Sequence, residues 1–523
     1  MTCKKAFFTR NHAQTRDKSF YFDFLGKIFG SGKPLAKLLN TNPGCYLYDT
    51  GTNKILGCRR EVYDLLSDLF LEDVNRAVGN FISRYGEKEF LSAAEEIVEA
   101  IHTEKILLLK KASNFGLSDH FKDFREVLNN SMQGMNIEVT EECFMRCGYC
   151  VYQDHYKEKR NFSSNSMSLE TAKKAIEFLK DHSADSNPVM LGFYGGEPLQ
   201  RFSFIKDCVE YTRNIIKGKD LIFNLTTNAV LVTPGIAEYL FNEGFSILVS
   251  LDGPKEIHDR YRKDKNGNGS FDRAINGLKI LADKYREINK GMISINAVYT
   301  PPYSEEKINR IDNFFKQLTW LPVANVLINY HSQNSIPVEM FMEGELKQDK
   351  SVMQWAFDKY KSDFEKSDSM VKGQIEKNFA KFIQRAVLNE PFDCFYFNGC
   401  CLPGQRKSHI TTDGSIKICE KISSNSPAIG DVFGGFDLET IEKVYIDDYA
   451  EKSIEICSGC WGIRLCGVCY IQAFNEQGKL DLARKNMYCH SNLHSLENLL
   501  KNFVALMEEN PGKLDYLYKY EIT

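Results

Sequence analysis

The chain has 523 residues, too many for one hydrophobic core and enough for about three domains. Its 43% hydrophobic and 26% charged residues are ordinary for a globular protein, and a net charge of −4 excludes a global basic field for nucleic acid. No run approaches the roughly 18 apolar residues of a membrane span, and the opening MTCKKAFFTRNHAQTRDK lacks the apolar core and cleavage site of a signal peptide. A cytoplasmic location without nucleic-acid or membrane partners is therefore expected, where the 16 cysteines serve as reduced ligands rather than disulfides.

Residues 1–115 read as a separate small domain. CYLYDTGTNKIL, from Cys45 to Leu56, predicts two short strands around a polar turn. A helix follows with Val62, Leu65, Leu66 and Leu69 on one face, then helical stretches near 74–82 and 91–101. A small sheet followed by helices fits a winged-helix-like module. GSGK at 30–33 fails as a phosphate-binding loop, because position 27 is not glycine and Pro34 stands where Ser or Thr would bind magnesium. Without visible chemistry, this domain is expected to bind. Residues 116–134 form a polar linker.

From Met135 the pattern alternates strand and helix, the mark of a parallel sheet with helices outside. Strands are expected at 135–140, 189–193, 221–226, 246–250, 292–299 and 325–329, with helices at 168–182, 203–216, 234–243, 271–287 and 305–318. Six strands are too few for a closed eight-fold barrel, and chemistry in such sheets gathers at the C-terminal strand ends. After the first strand comes ECFMRCGYCVYQ, with Cys143, Cys147 and Cys150 spaced C-x3-C-x2-C. Three thiolates on one loop can hold three corners of a cubane 4Fe–4S cluster; the usual count is four, so one iron stays open to a small molecule. Zinc is the competing reading, but it wants a local fourth ligand, and the nearest, His155, leads into a charged loop. After the second strand, Gly195 and Gly196 let the backbone approach a ligand closely and Glu197 adds an acceptor. The third strand ends in Thr226, Thr227 and Asn228. The fourth ends in Ser250 to Pro254, followed by His258, Asp259 and Arg262.

Residues 336–393 form a helical, charged bridge. Between 394 and 495 lie nine cysteines: Cys394, Cys400, Cys401, Cys419, Cys457, Cys460, Cys466, Cys469 and Cys489. That density exceeds what packing needs and marks a metal or cluster domain, with a zinc ribbon over 457–469 as the competing reading. Residues 496–523 continue an amphipathic stripe of Leu493, Leu496, Leu500, Phe503 and Leu506 into a tail.

The three-cysteine loop with Tyr149 before its last cysteine, and GGEP downstream, resembles the radical S-adenosylmethionine (SAM) superfamily. The resemblance implies a partial (β/α)6 TIM-like barrel and an open iron chelated by the amino and carboxylate groups of SAM. It also implies reductive cleavage of SAM to a 5′-deoxyadenosyl radical that abstracts hydrogen from a substrate. The GGEP backbone would meet the SAM amino group, and Ser250 and Arg262 its ribose or carboxylate, an arginine fork suiting the latter. An outside electron donor such as flavodoxin or ferredoxin is implied too.

The second cysteine field resembles the SPASM domain, an extension that carries up to two auxiliary 4Fe–4S clusters. Carried over, Cys400 or Cys401 with Cys419 and Cys469 would ligate the first, Cys394 being a candidate to complete it. Cys457, Cys460, Cys466 and Cys489 would ligate the second. The sequence departs from the family in its two-residue gap between Cys466 and Cys469 and in the Cys400–Cys401 doublet. GCCLPGQR at 399–406 and CEK at 419–421 resemble peptide maturases that form thioether cross-links in ribosomally made precursor peptides, whose N-terminal domain grips the leader. Anaerobic sulfatase maturases are the alternative. They place an aspartate base after the cysteine matching Cys419, where this chain has Glu420. A ferredoxin-like carrier would not need GGEP or an open three-cysteine loop.

Overall fold

The computed structural model describes residues 16–42, 44–118, 121, 123–285, 292–321, 326–332, 335–337, 345, 351–362 and 369–519. The strand start expected at 325, the helix end at 286–287 and residues 338–344, 346–350 and 363–368 of the 336–393 bridge lie outside these residues; the described part of the bridge holds the helices Val352–Ser362 and Ser369–Ile383.

In the N-terminal part, β1 (Ala36–Asn40), β2 (Cys45–Asp49) and β3 (Lys54–Cys58) form an antiparallel meander. The sequence pattern predicts β2 and β3. β1, with the sequence AKLLN, carries no alternation to mark it, and the alternating aromatics of SFYFDF disguise the preceding helix Lys18–Phe29. Helices Arg60–Leu71, Val74–Tyr85 and Glu87–Glu104 follow, the first burying the predicted face of Val62, Leu65, Leu66 and Leu69. Together they enclose their own apolar core, from Tyr21 to Leu107.

The central sheet contains the six expected parallel strands: β4 (Gly134–Thr140), β5 (Val189–Gly195), β6 (Leu221–Thr227), β7 (Phe245–Ser250), β8 (Ile293–Tyr299) and β9 (Val326–Tyr330). All five expected helices lie between them, and Ser168, Thr233 and Ser304 cap three by accepting a backbone N–H. Along β6, β7 and β8 buried and half-buried residues alternate. The buried rows pack on the helices; the half-buried rows, including Thr226, Ser250 and Asn296, line a polar interior. That division is what an open barrel requires.

The sheet is larger than the sequence suggests. Two strands from the cysteine-rich segment, β11 (Ser408–Ile410) and β12 (Ile416–Lys417), extend it, β11 pairing parallel with β4. At three and two residues, both are too short for a periodic signal. A further strand of this segment, β10 (Cys394–Tyr396), pairs parallel with the short run Asn114–Gly116, where the N-terminal region meets the linker. Finally, the C-terminal stripe belongs to one helix, Leu482–Glu509, which starts before Cys489 and packs Phe503 against Phe379 and Phe382. No helix among the described residues is long and apolar enough to cross a membrane.

Candidate active site

Cys143, Cys147 and Cys150 lie on the loop leaving the C-terminal end of β4, as the motif predicts for a barrel enzyme. The loop is irregular but its backbone is tied down. The Arg146 N–H donates to Lys263 O at 2.7 Å, Gly148 N–H to Tyr261 O at 2.8 Å, and Lys265 N–H to Phe144 O at 3.1 Å. Those partners end or follow the short helix Lys255–Tyr261, which carries no strong sequence signal.

The two GGEP glycines press on the same loop. A Cβ on Gly196 would collide with the Glu142 carbonyl, and one on Gly195, at φ +132°, with that of Thr140. The Gly196 N–H donates to Thr140 O at 2.7 Å and the Glu197 N–H to Glu142 O at 2.9 Å. Glu197 is buried. Its carboxylate accepts from the Thr227 hydroxyl at 2.7 Å, Asn228 N–H at 2.9 Å and Leu199 N–H at 3.2 Å. Burial raises its pKa to about 7. The side chain thus joins the ends of β5 and β6, while the glycine backbone meets the cysteine loop.

Beneath the loop sits a buried group that sequence reading assembles only in part. Asp252 Oδ2 accepts from the Tyr149 hydroxyl at 2.6 Å and from Arg262 Nε at 2.9 Å, while Oδ1 accepts from Val298 N–H at 3.0 Å. The Arg262 guanidinium lies 5.4 Å from the Tyr149 ring centroid, and Asp252 first among its partners holds its pKa up against burial. His258 accepts the Asp252 N–H at Nδ1, 3.4 Å away, and its Nε2 meets Ser270 Oγ at 3.0 Å. Burial, then Arg262, lowers the His258 pKa to about 4, so it is a neutral support. Ser250 ends β7 in the interior row, opposite Asn296, which accepts from Asn329 Nδ2 at 2.7 Å. The polar alternation of Ser294 and Asn296 in ISINAVY was the available signal for that row.

Burial raises all three thiols of the loop, Cys147 to about 12. Arg262 opposes this at Cys147, and Arg262, Arg160 and Arg146 oppose it at Cys150. A cationic surrounding of this kind suits a group that binds thiolates and carries negative charge.

Glu420 stands at the junction of barrel and cysteine-rich segment. Burial works against its ionisation, but Lys407, a backbone N–H and His409 together hold its pKa below the usual value. Lys407 Nζ is 3.3 Å from its carboxylate, and Lys159 Nζ donates to its backbone carbonyl at 2.7 Å. Nearby, Arg160 donates to Glu138 at 2.9 Å and covers the Tyr152 ring, while buried His409 stands edge-on to Tyr194.

Among the auxiliary cysteines, Cys457, Cys460, Cys466 and Cys489 line one cavity of about 260 Å³. Cys469 is raised to about 11 by burial, with Cys419 and Cys401 adding to it, whereas Cys400 faces Tyr449 as well as Cys469. The Cys394 sulfur meets Ser113 Oγ and the Asp393 carboxylate, each at 3.7 Å. Among the described residues, no three Cys, His, Asp or Glu side chains converge tightly enough for a single metal ion. A cubane holds its ligands farther apart than the four bonds of one tetrahedral zinc do.

Residues 137–315 match the family model described as the Radical SAM superfamily. The chain carries a radical SAM domain. Enzymes of this family use SAM and a 4Fe–4S cluster. The chain is 25% identical over 399 residues to a cysteine-type anaerobic sulfatase-maturating enzyme of Clostridium novyi (strain NT), covering 73% of this chain and 96% of the relative. It is 28% identical over 179 residues to the radical SAM cyclopropyl synthase TigE of Paramaledivibacter caminithermalis, 32% of this chain and 35% of the relative. Among solved structures, native anSMEcpe with bound AdoMet superposes with a TM-score of 0.52 at 20% identity, over 74% of this chain and 99% of that one. This likeness establishes the shared fold. The radical SAM domain ends before the cysteine-rich segment, so the auxiliary cysteines lie outside the matched residues.

Proposed function

We propose that this radical SAM enzyme modifies a ribosomally made precursor peptide by forming a thioether cross-link. The observation that carries the reading is the union of the three-cysteine loop with a second cysteine field and an N-terminal β-meander in one folded body. Cys143, Cys147 and Cys150 would hold the SAM-binding cluster. Cys419 and Cys469 would hold a first auxiliary cluster together with Cys401 or Cys400, both of which stand beside Cys469. Cys457, Cys460, Cys466 and Cys489 would hold the second, in the cavity they share. When bound, the first cluster together with SAM would supply the hydrogen-abstracting radical, and an auxiliary cluster an acceptor for the surplus electron.

The chain's own residues orient and enclose. Arg262, buried and paired with Asp252, and Ser250, in the interior row of β7, would meet a carboxylate and hydroxyls of SAM. Asp252 fixes Arg262 and Tyr149. Edge strands β1 and β3 offer a place for a leader peptide to add as a strand. The precursor is then read by its leader and processed in the barrel. Glu420, held ionised, is available to accept a proton from a cysteine thiol of the peptide.

The sulfatase-maturase reading keeps one specific support: similarity along nearly the whole of the Clostridium novyi enzyme, with a carboxylate retained at Glu420. Mass spectrometry separates the two. An anaerobic reaction with reductant, SAM and a cysteine-rich peptide encoded beside the gene should remove two hydrogens per modification and consume free thiols. Formylglycine formation instead replaces the cysteine sulfur by oxygen with loss of two hydrogens. That product from a sulfatase-derived peptide, with the cysteine-rich peptide unchanged, would overturn the thioether reading.

A further inference from the structure

The cavity bounded by Cys457, Cys460, Cys466 and Cys489 contains an unusual charge. Lys485 is only 2% exposed, yet among the described residues no carboxylate lies within ion-pair distance of its ammonium. Its contacts are the Ser453 hydroxyl, the Cys457 sulfur at 3.7 Å, and the faces of Tyr449 and Phe115, 4.3 and 5.4 Å from Nζ to the ring centroids. Its neighbour Arg484, by contrast, forms a two-pronged pair with Glu158 at 2.6 and 2.8 Å. A buried cation without an anion costs several kcal/mol. Something negative is needed to complete the site.

Helix Leu482–Glu509 shows what this could be. Positions 485, 489 and 492 fall on one helical face. Cys489 sits between Lys485, beside the Cys457 sulfur, and Asn492, whose Nδ2 donates to the Cys466 sulfur at 3.7 Å. The helix therefore provides one ligand and, on either side of it, an N–H donor to another ligand's sulfur.

We propose that Lys485 is the counter-ion of a four-thiolate iron–sulfur cluster in this cavity, and that Lys485 and Asn492 tune its potential through N–H···S contacts. The inference rests on assigning the second auxiliary cluster here. A 4Fe–4S core with four thiolates is net negative, which answers the uncompensated lysine. Positive charge and hydrogen bonds at the sulfurs favour the reduced form. The cluster is thus poised to take up an electron. Lys485 and Asn492 are positioning residues and need not touch substrate.

The test uses the full-length, anaerobically reconstituted chain carrying Cys143→Ala, so that EPR-monitored redox titration sees only the auxiliary sites. Adding Lys485→Met should reduce the reduced-to-oxidised ratio at a fixed potential about tenfold, a midpoint about 59 mV more negative. Lys485→Arg should restore it, and Asn492→Leu should shift it in the same direction by less. A Lys485→Met titration superposing on that of the parent would overturn the proposal. Should Lys485→Met retain less iron, the metal-free proteins decide. A counter-ion's removal leaves metal-free thermal stability equal or higher, whereas a fall there makes Lys485 a packing residue and overturns the proposal. Absence of any iron–sulfur signal in the Cys143→Ala parent would overturn the auxiliary-cluster assignment itself, and the proposal with it.

Discussion

At the scale of single residues, the site depends on a carboxylate that shares itself among three donors. Asp252 joins Tyr149 of the cysteine loop, Arg262 beyond β7, and the Val298 backbone. Asp252→Asn leaves the buried Arg262 without its anion and should cost about 3–5 kcal/mol of stability, measurable by denaturant unfolding; a loss below 1 kcal/mol would show that Arg262 finds another partner. His258 gives a pH prediction. Its pKa falls from 6.5 unfolded to about 4 folded, so its contribution is complete above pH 6.5 and is lost as pH falls towards 4. Between pH 7 and 5 the wild type should therefore lose about 2 kcal/mol relative to His258→Gln, and parallel pH profiles would contradict this. The cysteines were legible because their chemistry needs local spacing. Asp252 was only half legible, since Tyr149 lies 103 positions away in sequence and an Asp-Gly-Pro turn explains itself without function.

At the scale of elements, the fit of β5 against the cysteine loop is set by two glycines. Gly196→Ala places a methyl group against the Glu142 carbonyl and should displace the loop. Iron content after reconstitution should fall by the share of one cluster. Gly79→Ala, in the open middle of helix Val74–Tyr85, should keep full iron and gain about 0.5–1 kcal/mol. Equal iron in both variants would contradict the close-approach role. The six barrel strands and five helices were readable because each is long enough to show period or caps. β11 and β12 were not, because their stability comes from pairing with β4 and with each other rather than from their own five residues.

At the scale of the whole molecule, the N-terminal domain is built into the auxiliary region rather than tethered to it. The β2–β3 turn, which reads in sequence as an ordinary polar turn, is buried. Thr50 Oγ1 donates to Trp461 O at 2.6 Å, Arg464 Nε donates to Thr50 O at 2.8 Å, and Asn53 Nδ2 donates to Ala386 O at 2.8 Å. Trp461 and Arg464 lie between Cys460 and Cys466, so the loop carrying two of the proposed ligands rests on the domain proposed to hold the leader. Removing residues 1–115 also removes Phe115 from the cavity wall and the partner of β10. The truncated chain should lose auxiliary iron as well as peptide affinity, and full iron content in it would show the two regions to be independent. Polar composition marks a turn but cannot say whether water or another domain satisfies it, so this contact was invisible in sequence.

SAM cleavage is proposed at the loop of Cys143, Cys147 and Cys150. Its most direct test compares deoxyadenosine formation by the reconstituted wild type and by Cys143→Ala, with reductant and SAM, alongside the iron content of each. Deoxyadenosine should form with the wild type alone, with auxiliary iron retained in the variant. Deoxyadenosine from Cys143→Ala at the wild-type rate would contradict it.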